Sequence, residues 1–421
     1  MINVLISPAG TEIGREIWQS LRFDKSVRLF LAGEDYDNHA RYYDCDYHLL
    51  PGITSDNWLS ALQTFISRHE IHYIFPAHDD VLFAYAQKQE NIAARVITSN
   101  AECCEITRYK SLTYKALADV IHVPRCYETV EEITEWPVFV KPDRGQGAQG
   151  AVKIADETSL RRHLAEHPGV IICEYLSGAE YTVDCFSNAQ GVIFCQPRTR
   201  ERIRAGISMG SKRIEIEGVR EMAEKISTRL NLRGAWFFQL KYSNDSVLTL
   251  LEVAPRIAGT MALNRVRGVN FPLLSLYEHQ NIAFTLPALL PVERISRALS
   301  NRYRSDITFS HVYVDFDDTL IIHQKLCLPL IAFLYQCVNE GIPLSLLTRH
   351  RGDIYQQLNK WRLTTLFDRV YHLTEQDKKS SYITEPDAIF IDDSFRERDE
   401  VHRSCGIYTF DISMLDVLIK E

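Results

Sequence analysis

Val138-Phe-Val-Lys141-Pro-Asp-Arg-Gly145-Gln-Gly147-Ala-Gln-Gly150 is the stretch on which the reading of this chain turns. Three apolar residues running into Lys141 predict a short buried strand, and the glycines after it give a loop with almost no Cβ bulk. A strand thereby delivers a cation to bare backbone. Such a loop can approach phosphate oxygens closely and offer them amide N–H groups, with the lysine adding a point charge. The Gly-Lys-Ser/Thr ending of a P-loop is missing, and the glycine spacing is not the dinucleotide fingerprint. A plain turn carries the same pattern, so the weight of this stretch comes from the rest of the chain.

A chain of 421 residues exceeds one ordinary core, and about two to four domains are expected. Lys+Arg 47 against Asp+Glu 55 leaves a net charge of −8, which argues against nonspecific nucleic-acid binding. No uncharged apolar run approaches the roughly 18 residues of a membrane span. The N-terminal Met-Ile-Asn-Val-Leu-Ile-Ser-Pro has no basic n-region, no long apolar stretch and no small-residue cleavage site, so a cytoplasmic location is expected. The 10 cysteines are scattered, form no CxxC pair and mostly sit in apolar runs, where a free thiol behaves as a small hydrophobe.

Residues 1 to 104 alternate apolar strands with helical patterns, which predicts parallel βαβ units. Strands are expected at Asn3 to Ser7, Val27 to Ala32 and Ile71 to Pro76, with a turn from Pro8 to Gly14 before a helix beginning at Glu16. Asp79 and Asp80 follow the third strand, where they would line a cleft or cap a helix. One helical segment from about Glu105 carries Lys110 and Lys115. Ile171 to Asp184 is read as two strands around a Ser177-Gly178 turn, flanked by Glu174 and Glu180. Arg198 to Arg213 is a basic run, which by itself is often a solvated loop. Ala235 to Tyr242 and Val247 to Val253 form a hairpin ending in Glu252-Val-Ala254-Pro-Arg256.

Residues 1 to about 290 resemble the ATP-grasp superfamily, in the branch of carbamoyl-phosphate synthetase, biotin carboxylase and many carboxylate-amine ligases. Five elements carry the resemblance in family order: Lys110, the strand lysine with its glycine loop, Glu174-Tyr-Leu-Ser-Gly-Ala-Glu180, the Gln239 strand, and Leu251-Glu-Val-Ala-Pro-Arg-Ile-Ala-Gly-Thr260. The resemblance implies that Lys110 and Lys141 hold the phosphates of ATP and that the loop with Gly147 and Gly150 closes over them. It further implies that Glu174 and the Leu176 backbone face adenine, Glu180 faces the ribose, and Glu252 with Gln239 holds Mg²⁺, or Mn²⁺ in its place. Arg256 would face the transferred phosphoryl group. Arg198, Arg200 and Arg204 resemble a basic loop that faces the substrate carboxylate, where arginine forks suit oxyanions. Ala254 stands where the family commonly has Asn, which leaves one or two metals open.

Beyond Pro291 the pattern changes. A basic linker or helix is expected over 291–307, and Val312-Tyr-Val-Asp315-Phe-Asp317-Asp-Thr319 opens a second machine at 308–421. This resembles the haloacid dehalogenase-like phosphatases, whose further motifs would be Thr348, Lys378 or Lys379, and Asp392-Asp393. The resemblance implies Asp315 as nucleophile and Asp317 as acid/base, with Thr348 and the lysine on phosphoryl oxygens. Asp315, Asp317, Asp392 and Asp393 would form the Mg²⁺ site. About thirty residues separate successive motifs, too few for an inserted cap domain.

The expected fold is therefore α/β: an N-terminal βαβ domain at 1–104, an α+β ATP-grasp domain at 105–290, and a capless Rossmann-like C-terminal domain. The expected function is a bifunctional enzyme. An ATP-dependent carboxylate-amine or carboxylate-thiol ligase, releasing ADP and phosphate, is joined to a Mg²⁺-dependent phosphatase acting on a phosphorylated small molecule. The alternative keeps the phosphatase active alone, with the ATP-grasp half a nucleotide-binding or regulatory module. No nucleic-acid or membrane partner is expected, and a homodimer is left open.

Overall fold

The strand Ile2–Ser7 is buried along most of its length because Val4, Leu5 and Ile6 point alternately into two apolar layers. It is the centre of a five-stranded parallel sheet in the order Tyr47–Leu49, Val27–Gly33, Ile2–Ser7, Tyr73–Pro76, Arg95–Val96. In this computed structural model, residues 1–145, 149–243 and 246–420 are described. The chain divides into two compact units, Met1–Arg41 with Cys45–Leu299, and Ser300–Glu421 with Tyr42–Asp44.

Two expectations for the first sheet are revised. The edge strand Tyr47–Leu49 and the helix Trp58–His69 lie where no element was read. The first helix spans Glu12–Leu21 and begins before Glu16, because Thr11 caps it by accepting the Gly14 N–H. Gly14 is thus a helical residue. A Cβ there would sit 2.4 Å from the Ala9 carbonyl oxygen, so the close return of the chain needs glycine.

The rest of the first unit consists of two antiparallel four-stranded sheets and a small third one. The first sheet runs Cys126–Tyr127, Val170–Glu174, Val138–Pro142, Val152–Ile154; the second runs Gly191–Thr199, Glu180–Asn188, Gly234–Tyr242, Leu248–Ala254. Val170–Glu174 and Glu180–Asn188 therefore belong to different sheets. The stretch from Tyr175 to Ala179 is a crossover between them and not the turn of a hairpin. The second sheet packs the helix Val219–Leu230 over a core that includes Trp236, Phe238, Ile226 and Leu230. The strand Arg294–Ser296 pairs with Ile207–Lys212, so the front of the expected linker is part of the first unit.

The expected single helix from Glu105 is two, Ala101–Arg108 and Lys110–Leu117, broken at an extended Tyr109. The break frees the Lys110 and Ser111 N–H groups, which donate to the Asp143 carbonyl (3.1 Å) and carboxylate (2.7 Å). The second helix is thereby tied to the end of the lysine strand.

The second unit is a five-stranded parallel sheet in the order Arg369–His372, Leu344–Thr348, His311–Val314, Ala388–Ile391, Tyr408–Phe410. Its middle strands are wholly buried and mostly apolar, as parallel strands covered on both faces must be. Only a two-stranded hairpin (Ile321–Ile322, Lys325–Leu326) and the helix Leu328–Asn339 separate the first two of its expected motifs. Among the described residues, no helix is long and apolar enough to cross a membrane.

Candidate functional site

In the first unit, one cleft is lined by Asp79, Arg108, Lys110, Gly145, Glu252 and Arg256, which come from four separate stretches of chain. Glu252 reaches it because Gln239 and Glu252 are direct partners across the antiparallel strands, and the Gln239 amide donates to the Glu252 carboxylate at 2.6 Å. Lys141 is buried behind the cleft. Its ammonium donates to the Tyr114 hydroxyl at 2.6 Å, and that hydroxyl donates to the Leu251 carbonyl, next to Glu252.

Lys110 lies at the start of its helix, with Nζ 3.5 Å from the Gly145 carbonyl oxygen. Burial pulls its pKa below the usual lysine value; Lys141 and Arg108 add to this, and Glu252 only partly opposes it. A half-buried ammonium among like charges fits an anionic ligand. Arg256 lies over the Phe237 ring and forks onto Asp79, with Nη2 to Oδ2 at 2.9 Å. Burial would raise the Asp79 pKa, but the Arg256 charge and hydrogen bond win and hold it below the ordinary carboxylate value. Asp80 accepts from Arg108 (2.9 Å) and Arg144 (3.0 Å). The helix Asp79–Gln87 is capped by His78, which accepts the Asp80 N–H, and not by either aspartate.

The residues expected to face adenine and ribose surround the crossover. Glu174 accepts the Arg125 N–H at 2.8 Å, Leu176 is buried, and Glu180 pairs with Arg200 Nε at 2.7 Å. Gly150 has φ +70°, and a Cβ there would lie 2.9 Å from Pro142 Cγ, so this end of the loop demands glycine. Gly147 lies outside the described residues.

The three arginines read together from the basic run are separated by the structure. Arg204 is exposed on the short strand Arg202–Arg204, and Arg200 is the partner of Glu180. Arg198, expected to face substrate, is 2% exposed and bound to Asp184 through Nε (3.0 Å) and Nη2 (3.2 Å), with Nη1 on Ser211. Asn264 donates to the same aspartate. A strand buried on this face turns Arg198 inward, so it is a member of a closed internal network.

In the second unit, Lys379 Nζ bridges Asp315 (2.7 Å) and Asp392 (2.6 Å), while Lys378 is exposed. This separates the two lysines that the sequence left open. Burial, with Asp392 alongside and Lys379 opposing, pushes the Asp315 carboxyl up to about 7. Carboxylate oxygens of Asp315, Asp392 and Asp393 lie within 4.8 Å of one another. Three hard oxygens with a single ammonium suit a divalent cation such as Mg²⁺. Asp317, expected in that set, is outside the group and faces His350 Nδ1 at 2.9 Å. Thr348 is buried and accepts the His350 N–H, and Thr319 binds Asp393. Thr319 was read from sequence only as the end of the first motif, and His350 was not singled out; Tyr114, Asp143 and Asp184 were also missed, because their contacts span 14 or more residues and leave no local pattern.

Of the four sheets of the first unit, one antiparallel four-stranded sheet carries the lysine strand and the other the Gln239–Glu252 strand pair. Residues 166–294 match the family model described as ATP-grasp in the biosynthetic pathway with Ter operon. The arginine-specific large chain of carbamoyl phosphate synthase from Bacillus subtilis (strain 168) is 25% identical over 201 residues, 43% of this chain and 18% of that one. The chain thus spans about a fifth of the length of that curated relative. Biotin carboxylase from Campylobacter jejuni, solved as a β,γ-ATP complex, superposes with a TM-score of 0.55 at 15% identity, covering 68% of this chain and 72% of that one. L-amino acid ligase from Bacillus licheniformis gives a TM-score of 0.54 at 15% identity over 66% and 73%.

Proposed function

We propose that the first unit is an ATP-dependent ligase that activates a small-molecule carboxylate by phosphorylation and passes the acyl group to an amine or thiol. The observation that carries the reading is the cleft in which Lys110 and Arg256 converge on Glu252 under the end of the glycine loop. Both steps gather negative charge, and preplaced cations stabilise it at low cost in reorganisation. Lys110 and Lys141 hold phosphate oxygens, Arg256 orients the transferred phosphoryl group, and the walls formed by Leu176 and Glu174 receive the base. Glu252 and Gln239 offer the oxygen ligands that Mg²⁺ prefers. When bound, Mg²⁺ supplies charge neutralisation of the triphosphate.

The second unit, in the same reading, is a phosphatase with Asp315 as nucleophile. Asp315 attacks phosphorus, Asp317 gives a proton to the leaving oxygen and later takes one from water, and Lys379 steadies the phosphoryl oxygens. Asp315, Asp392 and Asp393 would hold Mg²⁺, which would supply further charge neutralisation. A second reading leaves the phosphatase as the sole catalyst; what favours it is that Glu252 has an amide and Ala254, rather than another acid, beside it on the paired strands.

A screen of carboxylates and amines for ADP release, with mass spectrometry of products, separates the readings. Carboxylate-dependent ADP release that Glu252→Ala abolishes supports the ligase. Unchanged ADP release in that variant overturns it, and ATP binding without turnover supports the second reading.

A further inference from the structure

Cys126 and Cys173 are direct partners across two antiparallel strands, and their sulfurs are 3.5 Å apart. The neighbouring pair is joined by a backbone hydrogen bond from Glu174 N–H to the Arg125 carbonyl (2.9 Å), which makes Cys126 and Cys173 a non-hydrogen-bonded pair. Such pairs bring their Cα atoms to about 4.5 Å and their side chains closest together. A disulfide spans Cα separations of about 4.4–6.8 Å, so the backbone is already within range.

The two thiols differ in the way an exchange reaction requires. Cys126 is exposed, whereas Cys173 is buried. The hydrogen bond from Cys173 holds the Cys126 pKa below the usual thiol value against burial, with Lys141 assisting, while that same bond and burial push Cys173 up. The outer sulfur is the accessible thiolate and the inner one is the resolving thiol. Cys173 precedes Glu174, and the Arg125 N–H bound by Glu174 precedes Cys126. The pair therefore stands on the wall assigned above to adenine, and its effect on nucleotide rests on that assignment.

We propose that Cys126 and Cys173 form a thiol–disulfide exchange site that takes a low-molecular-weight disulfide and closes into an internal disulfide that blocks the nucleotide wall. The Cys126 thiolate attacks one sulfur of the small disulfide, forming a mixed disulfide and expelling one thiolate. Cys173 then loses its proton and attacks the Cys126 sulfur, expelling the second thiolate. Two protein thiols are oxidised by two electrons, and one small disulfide is reduced to two thiols. Drawing the sulfurs from 3.5 Å to a bond length of about 2 Å pulls the Cys126–Tyr127 strand inward and shifts the Arg125–Glu174 contact.

The test incubates the full chain with oxidised glutathione and maps peptides under non-reducing conditions. A Cys126–Cys173 crosslink is expected, with Cys173→Ser stalling as a glutathione adduct on Cys126 and Cys126→Ser forming no adduct on Cys173. A stable adduct on Cys126 in the wild type without the crosslink, or no reaction at Cys126, overturns the site. ATP binding is measured on reduced and oxidised protein, and at least a tenfold loss on oxidation, reversed by dithiothreitol, is expected. Equal affinity in both states overturns the block. Failure of the reduced protein to bind ATP overturns both the assignment of the wall and the block, and leaves the crosslink to decide the exchange site.

Discussion

Replacing Arg198 by Met separates an internal role from a substrate-facing one. The guanidinium is 2% exposed and its carboxylate partner, Asp184, is 0% exposed. Removing only the cation leaves the Asp184 carboxyl buried, with the Asn264 amide its one remaining bonded side chain among the described residues. Breaking a buried pair in this way costs about 3–5 kcal/mol, because the remaining charge is uncompensated. For a unit of this size that is a fall in Tm of roughly 10 °C. The Asp184→Asn, Arg198→Met double variant removes both charges and regains most of the loss, with a coupling of about 2–3 kcal/mol. Urea unfolding gives the free energies, and hydrogen exchange in the strand Glu180–Asn188 locates the change. A loss below about 1 kcal/mol in the single variant, or additive losses in the double, refutes the closed-network argument.

His279 is held neutral: burial, with Arg95 and Arg233 nearby, pulls its pKa from 6.5 to about 4. The unfolded chain takes up this proton near pH 6.5 and the folded one does not, so acidification across that window favours unfolding by up to about 3 kcal/mol. His279→Gln flattens the slope of urea midpoints between pH 7 and pH 4.5, and an unchanged slope contradicts the assignment. Lys379→Met leaves Asp315 and Asp392 without their shared cation and is expected to cost about 3–5 kcal/mol in metal-free protein, with Mg²⁺ restoring part of it; hydrogen exchange of the strands His311–Val314 and Ala388–Ile391 reads this, and full protection without Mg²⁺ counts against it. Gly150→Ala strains a backbone at φ +70° and meets Pro142, so weaker ATP binding with a small stability loss of about 1 kcal/mol is expected by calorimetry and urea unfolding.

Elements built by a local pattern were legible in the chain. Val138–Pro142, Leu344–Thr348 and Ala388–Ile391 are short, mostly apolar runs with a polar residue at or just beyond their ends, and each is a strand delivering that residue towards a candidate site. The hairpin carrying Gln239 and Glu252 was legible for the same reason. The crossover after Glu174 was misread because two strands around a Ser-Gly dipeptide look alike whether they pair with each other or with strands far away. The basic run misled in another way: charge says nothing of the direction a strand turns its side chains, and Asp184, which decides it, is 14 residues upstream of Arg198. The Asp79–Arg256 fork joins residues 177 apart and could be read only as two unrelated motifs.

That fork has a consequence for any attempt to dissect the chain. A cut between residues 104 and 105 follows the sequence boundary, yet it would take Asp79 from Arg256, Glu16 from Arg265, and the Ser20 carbonyl from Asn270. The N-terminal segment therefore shares in holding the Arg256 guanidinium. Grafting a different sheet onto the rest of the first unit would have to bring its own acid to the same spot, so exchange of that module is constrained by one carboxylate more than by the surface around it.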